Sequence, residues 1–255
     1  MTDSIFDLTG KMAVITGGGT GLGKQFAHVL SKAGATVVLC ARRVEKLEEA
    51  VAEINDAGGK AHCCAMDVTD AASIAAAFDQ AERYGQVSIL INNAGMVAEP
   101  SLLKLEEETW DLVQATNLKG AWMVGKEAAS RMIANNSSGS VINIASILGI
   151  AVQKGTGPYS ASKAALLHLT RDMAVEWARY GIRVNSIAPG YYSTDMAEAF
   201  LESSPGKALL KRIPQRRLGS VEDLSGTILL LSSDASAYMT GSCITVDGGL
   251  SLSVI

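Results

Sequence analysis

Six short runs of mainly apolar residues recur along the chain, apolar at successive positions and so on both faces of a strand, with helix-period segments between them. They lie at 12–16, 36–41, 61–66, 87–91, 139–145 and 182–188. A strand with one wet face alternates apolar and polar residues, so runs like these must be covered on both sides. Between them, Leu22, Phe26, Val29, Leu30 and Ala33 form one helical stripe that Gly34 stops. Leu47, Val51 and Ile54 line a second, broken by Gly58-Gly59, and Ile74, Phe78 and Ala81 line a third. Longer helices are expected over 105–134, in one piece or two, and over 158–180. Strand–helix alternation with right-handed crossovers predicts an α/β fold, a Rossmann-like doubly wound parallel sheet of about seven strands with helices on both faces.

No repeat, low-complexity stretch or linker interrupts this rhythm, so one domain over 1–255 is expected. With 48% apolar and 19% charged residues the chain can build a core and is not disordered. The net charge of −4 argues against nucleic acid or an anionic membrane surface as partner. No apolar run reaches the roughly 18 residues needed to span a bilayer. The opening MTDSIFDLTGK lacks a basic region followed by an apolar one, so a cytoplasmic protein is expected. Cys40, Cys63, Cys64 and Cys243 contain no CxxC pair, and His28, His62 and His168 stand at no ligand spacing from one. The cysteines read as small side chains of buried strands, Cys63 and Cys64 on opposite faces, with no disulfide and no metal.

Chemistry enters at the first strand-to-helix turn, Thr16-Gly17-Gly18-Gly19-Thr20-Gly21-Leu22-Gly23. Its spacing departs from GxGxxG, but Gly17, Gly21 and Gly23 still let the backbone turn sharply and approach a pyrophosphate. Thr20, Gly21 and Leu22 then open a helix whose unpaired N–H groups would meet that charge. At the end of the second strand a carboxylate would accept from a ribose 2′-OH and select NAD(H). Here Ala41 is followed by Arg42 and Arg43, whose donors and charge suit a 2′-phosphate. NADP(H) is therefore the expected cofactor, with NAD(H) the alternative.

Tyr159 and Lys163 stand four apart, on one face of a predicted helix. Taken with Asn92-Asn93-Ala94-Gly95 after the fourth strand and Ser146 at the end of the fifth, they closely resemble the short-chain dehydrogenase/reductase family in its compact form. The resemblance runs over essentially the whole chain. The glycine turn matches the family's TGxxxGxG, and Asp67, with Val68 beside it, matches the adenine-facing acid after strand three. Asn93, Ala94 and Gly95 fall in its NNAG, and Pro189-Gly190 matches the turn after strand six. Asn117, Ser146, Tyr159 and Lys163 match the catalytic four. The resemblance implies that Ser146 holds the carbonyl oxygen, Tyr159 moves the proton, and Asn117 supports a relay to Lys163. Lys163 would also bind the nicotinamide ribose, and Thr194 the carboxamide. The chemistry agrees: a phenol titrates near 10, and one ammonium about 4 Å away, at an effective dielectric of about 20, supplies the roughly 4 kcal/mol needed to bring it near neutrality. Lys163 is expected to lower Tyr159 in this way.

A lid over the substrate is expected at about 191–219, the region where family members vary most. Tyr191 and Tyr192 are expected on its substrate side. Its Lys207, Lys211, Arg212, Arg216 and Arg217, set against Glu198 and Glu202, suit either a solvated helix or an acidic carrier or CoA phosphate. Met96, Ile147, Leu148, Ile150 and Val152 suggest a small-molecule ketone with a hydrophobic body. An NAD(H)-dependent alcohol or sugar-acid dehydrogenase and a 3-oxoacyl-thioester reductase stay open. Extended epimerases need a longer chain, enoyl reductases space tyrosine and lysine more widely, and nucleotide sensors tend to lose one of the two. The family also implies a homotetramer, built on the two long helices and the last strand with its apolar tail, 248–255.

Overall fold

The computed structural model describes residues 5–98, 101–193 and 204–252. Its strands are β1 (Met12–Thr16), β2 (Thr36–Ala41), β3 (Lys60–Ala65), β4 (Val87–Asn92), β5 (Gly139–Ile144), β6 (Ile182–Pro189) and β7 (Cys243–Val246). They pair in parallel in the order β3-β2-β1-β4-β5-β6-β7, the doubly wound arrangement expected. Every expected strand stands within one residue of its sequence limits. The seventh, which the sequence pattern did not localise, is a four-residue, half-buried edge.

Each strand divides its side chains between two cores. Ala13 and Ile15 face one side with α1 (Gly21–Lys32), α2 (Val44–Asp56) and α8 (Ser225–Ser232). Met12 and Val14 face the other with α3 (Ala71–Ala81), α5 (Ala121–Ala134) and α6 (Gly157–Trp177). Phe26 and Phe78, fully buried on opposite sides, each contribute about 1.5–3 kcal/mol by leaving water. Cys64 joins one core and Cys63 packs on the other, as their adjacency requires, and all four thiols are free. Local chemistry fixes the helix starts: Asp70 accepts from Ala72 N at 2.9 Å to cap α3, and Pro158 occupies the first turn of α6.

The long helical stretch is in pieces. Between α4 (Glu107–Gln114) and α5 the chain makes a π turn, Ala115–Gly120, and α6 ends at Trp177 in a short 3₁₀ turn. Beyond β6, α7 (Ser204–Arg212) leads to Ile213, which is buried against Ile147 and Leu250. The apolar tail is thus partly covered by its own chain, while Leu252 stays exposed. Among the described residues no helix is long and apolar enough to cross a membrane.

Candidate active site

The sheet order places the crossover from β3 back to β4 beside β1, so the loops at the C-terminal ends of β1 and β4 open a crevice. Thr16, the last residue of β1, ties them together. Its hydroxyl accepts from Asn93 N and Ala94 N, both at 3.0 Å, and Asn93 Nδ2 donates to the carbonyls of Thr16 (3.0 Å) and Gly17 (3.2 Å). Gly17 has φ +65°, and its N–H reaches Cys40 O at 2.7 Å. A Cβ on Gly23 would stand 2.2 Å from Gly17 O, so only glycine closes this turn. Gly21 faces open space, Leu22 packs on the core, and Thr20 caps α1 without a side-chain hydrogen bond. The first N–H groups of α1 therefore have no side-chain cap.

Arg42 and Arg43 are exposed at the end of β2. Asp67, after β3, accepts from Thr69 N (2.9 Å) and Thr69 Oγ1 (2.7 Å). Those bonds hold its carboxyl below the usual range, and the charge of Arg42 adds to the effect. Val68 is buried, 3.0 Å from where a Gly120 side chain would begin. Gly190 N donates to Val246 O at 2.9 Å, and a Cβ there would lie 2.7 Å from Asp247 Cα, which explains the glycine after Pro189. Thr194 lies outside the described residues, as do Met196, Glu198 and Glu202 of the expected lid.

Four further residues converge at the ends of β4 and β5. Asn117, wholly buried in the π turn, accepts from Met96 N at 2.8 Å and donates to Met96 O at 2.9 Å and Ser162 Oγ at 3.1 Å. Ser162 Oγ in turn donates to Tyr159 O at 2.7 Å. Ser146 accepts from Leu148 N at 3.1 Å, and its hydroxyl is near enough to the Tyr159 phenol to influence it. Lys163 Nζ donates to Ile144 O at 2.7 Å and lies 5.7 Å from the Tyr159 ring centre. Gly95 leaves room between these groups: a Cβ there would stand 3.3 Å from Asn117 Oδ1 and 3.6 Å from Lys163 Nζ.

The electrostatics correct one expectation. Tyr159 is not lowered: burial pushes its phenol up, the nearby Ser146 hydroxyl opposes this, and Tyr191 adds to the rise. Lys163 does not offset it, because its ammonium is aimed at Ile144 O and is itself desolvated, pushed down to about 8. Tyr192 is held by the last strand. Its hydroxyl donates to Val246 O at 2.8 Å and its ring packs against Gly219. Of the expected apolar wall, Ile147 is buried while Val152 is 94% exposed. Arg217 pairs with Asp223, which uses one of the basic lid charges.

Beneath the site runs a polar network that the residue spacing did not reveal. Asn92 Nδ2 donates to Asn143 Oδ1 at 2.9 Å, and Asn143 Nδ2 donates to Thr170 Oγ1 at 2.9 Å, joining β4, β5 and α6. The signal was present: asparagines in otherwise apolar strands must find partners when buried.

A family model described as enoyl-(acyl carrier protein) reductase matches residues 17–251. Gluconate 5-dehydrogenase of Gluconobacter oxydans is 36% identical over 98% of both chains. The 3-oxoacyl-(acyl-carrier-protein) reductase of Thermotoga maritima is 38% identical over 95% of this chain and 98% of its own. A short-chain type dehydrogenase/reductase from Mycobacterium marinum superposes with TM-score 0.92 at 38% identity, covering 96% of this chain and 97% of that one. A gluconate 5-dehydrogenase from Burkholderia cenocepacia, solved with NADP and tartrate, gives TM-score 0.92 at 37% identity over 98% of each. The chain belongs to the short-chain dehydrogenase/reductase family and is an oxidoreductase of that fold.

Proposed function

We propose that this enzyme transfers hydride between NADP(H) and the carbonyl carbon of a ketone, or the carbinol carbon of a secondary alcohol, using Tyr159 as proton donor and acceptor. One observation carries the reading. The Ser146 hydroxyl lies close enough to the Tyr159 phenol to act on its proton, with the buried Lys163 ammonium 5.7 Å from the ring and Asn117 fixed on Met96. Two hydroxyls on one carbonyl oxygen position it and stabilise charge as it develops. In reduction the carbonyl carbon gains hydride and its oxygen takes the Tyr159 proton. The phenolate so formed has the Lys163 ammonium 5.7 Å from its ring centre, and the reverse sequence oxidises the alcohol.

The cofactor's place is supported by the chain's own geometry. The uncapped start of α1 and the open face of Gly21 suit a pyrophosphate, and Arg42 with Arg43 beside Ala41 suits a 2′-phosphate. The bound nicotinamide would supply or accept the hydride, with Asn93, Ala94 and Gly95 along its path and Lys163 on its ribose. The NADP in the Burkholderia relative agrees with this choice. The test sets the purified chain with NADPH and NADH against simple ketones, acetoacetyl thioesters and sugar acids. Carbonyl-dependent oxidation of NADPH is expected, and its absence across the panel contradicts the reading.

The same reading takes 1–255 as one cofactor-binding unit, with 191–219 covering the substrate. It also takes the assembly as a homotetramer. An open groove of about 800 Å³ between α4, α5 and α6, lined by Gln114, Leu118, Trp122, Ala165 and Leu169, supports pairing through those helices. Light scattering at micromolar concentration is expected to give the mass of four chains, and a monomer mass would sink the idea.

A further inference from the structure

Tyr159 stands in the first turn of α6, where a helix is least held by its own ladder because its first N–H groups have no partner one turn back. The residues before it do little to fix that turn: Gly157 opens the helix, Pro158 follows, and Thr156 gives no side-chain cap. The hold comes from outside the helix. Gln114 of α4 donates to Pro158 O at 3.0 Å. Asn117 is locked on Met96 through both of its polar atoms, and its remaining N–H goes to Ser162 Oγ at 3.1 Å. An amide nitrogen only donates, so Ser162 accepts there, and its single proton goes to Tyr159 O at 2.7 Å. Asn117 and Ser162 are both 0% exposed, so bulk water does not compete for these bonds.

A helical serine often bonds a carbonyl one turn back. What sets Ser162 apart is the fixed donor behind it. The same device recurs on α6, where Asn143 Nδ2 donates to Thr170 Oγ1 at 2.9 Å and Thr170 Oγ1 donates to Leu166 O at 2.8 Å. That second pin lies about three turns beyond Tyr159 and holds the body of the helix. The first ends on the carbonyl of Tyr159 itself. We infer that Ser162 is a positioning residue: it passes the rigid placement of the Asn117 clamp to the Tyr159 backbone and so sets where the phenol stands. The inference rests on the hydride-transfer reading. It gives the Asn117 side chain a holding part, since both of its amide hydrogens are already used.

The experiment sets Ser162→Ala against Thr170→Val, which removes the same kind of pin farther along the helix. Each leaves an asparagine N–H unpaired in the interior, so both should melt at a lower temperature than the wild type. They should part in catalysis, measured with NADPH and the ketone of the panel that the wild type reduces fastest. A misplaced phenol predicts kcat about tenfold to a hundredfold lower in Ser162→Ala, with NADPH Kd and ketone KM unchanged. Its solvent deuterium isotope effect on kcat should rise, because proton transfer is the step delayed. Thr170→Val should keep the wild-type kcat, and Ser162→Thr, which retains the hydroxyl, should recover most of the lost rate. A wild-type kcat in Ser162→Ala, an equal loss in Thr170→Val, an isotope effect that does not rise, or a threonine variant as slow as the alanine one overturns the positioning role while hydride transfer stands. A wild type that reduces no ketone of the panel overturns the hydride-transfer reading and the inference with it.

Discussion

Replacing Lys163 by methionine should make the protein more stable as pH falls and, by the proposed chemistry, inactive. Lys163 is 4% exposed, faces no carboxylate within ion-pair reach among the described residues, and donates its proton to Ile144 O. Burial lowers its pKa from 10.5 to about 8. A base whose folded pKa lies below its unfolded one is a liability while both states are charged. Below about pH 8 the fold carries the full cost, between 8 and 10.5 the unfolded state holds the extra proton, and above 10.5 the cost is gone. The fall corresponds to about 3 kcal/mol. Lys163→Met removes that cost but leaves Ile144 O unpaired, at about 1–3 kcal/mol. At pH 7 the variant should therefore be stabilised by up to about 2 kcal/mol. The sharper readout is the pH dependence. Urea unfolding from pH 7 to 10.5 should show the wild type gaining about 3 kcal/mol relative to the variant as pH rises. Cysteines and tyrosines titrate in both proteins and cancel in the difference. A difference flat across that range would show that Lys163 is not a desolvated ammonium and would refute the reasoning.

Further outcomes follow from the same coordinates. Gly23→Ala drives a Cβ onto Gly17 O and should cost about 1–3 kcal/mol by overpacking, while NADPH affinity falls at least about tenfold because the Asn93 clamp loosens. A thermal melt and a cofactor titration check it, and an unchanged pair of values would contradict the packing argument. Arg42→Ala should lower the kcat/KM ratio of NADPH to NADH by about tenfold, the lower end for a charge-assisted bond because the side chain is exposed. Adding Ala41→Asp should reverse the preference, and a ratio that neither change moves would return the cofactor to NAD(H).

Strand limits were legible because the runs apolar on both faces end at polar or glycine residues, as Thr16-Gly17 and Ala41-Arg42 do. The edge strand β7 was not, since four half-buried residues give almost no pattern. Tyr159 and Lys163 could be placed on one face because helix spacing is local. What Lys163 does with its proton was hidden, because Ile144 O is supplied by another element. The π turn at Asn117 escaped for a related reason: a single wide turn barely disturbs a 3.6-residue period. Adjacent tyrosines diverge likewise. Tyr192 is captured by Val246 and Tyr191 by Gln153, and neither partner is near in sequence.

The central claim is that the Tyr159 phenol moves the proton while the cofactor carries the hydride. Single-turnover reduction of an active ketone by Tyr159→Phe, with NADPH affinity measured on the same preparation, tests it most directly. The account predicts a folded variant that binds NADPH as the wild type does and loses at least about two orders of magnitude in kcat. Turnover close to the wild type in that variant would contradict it.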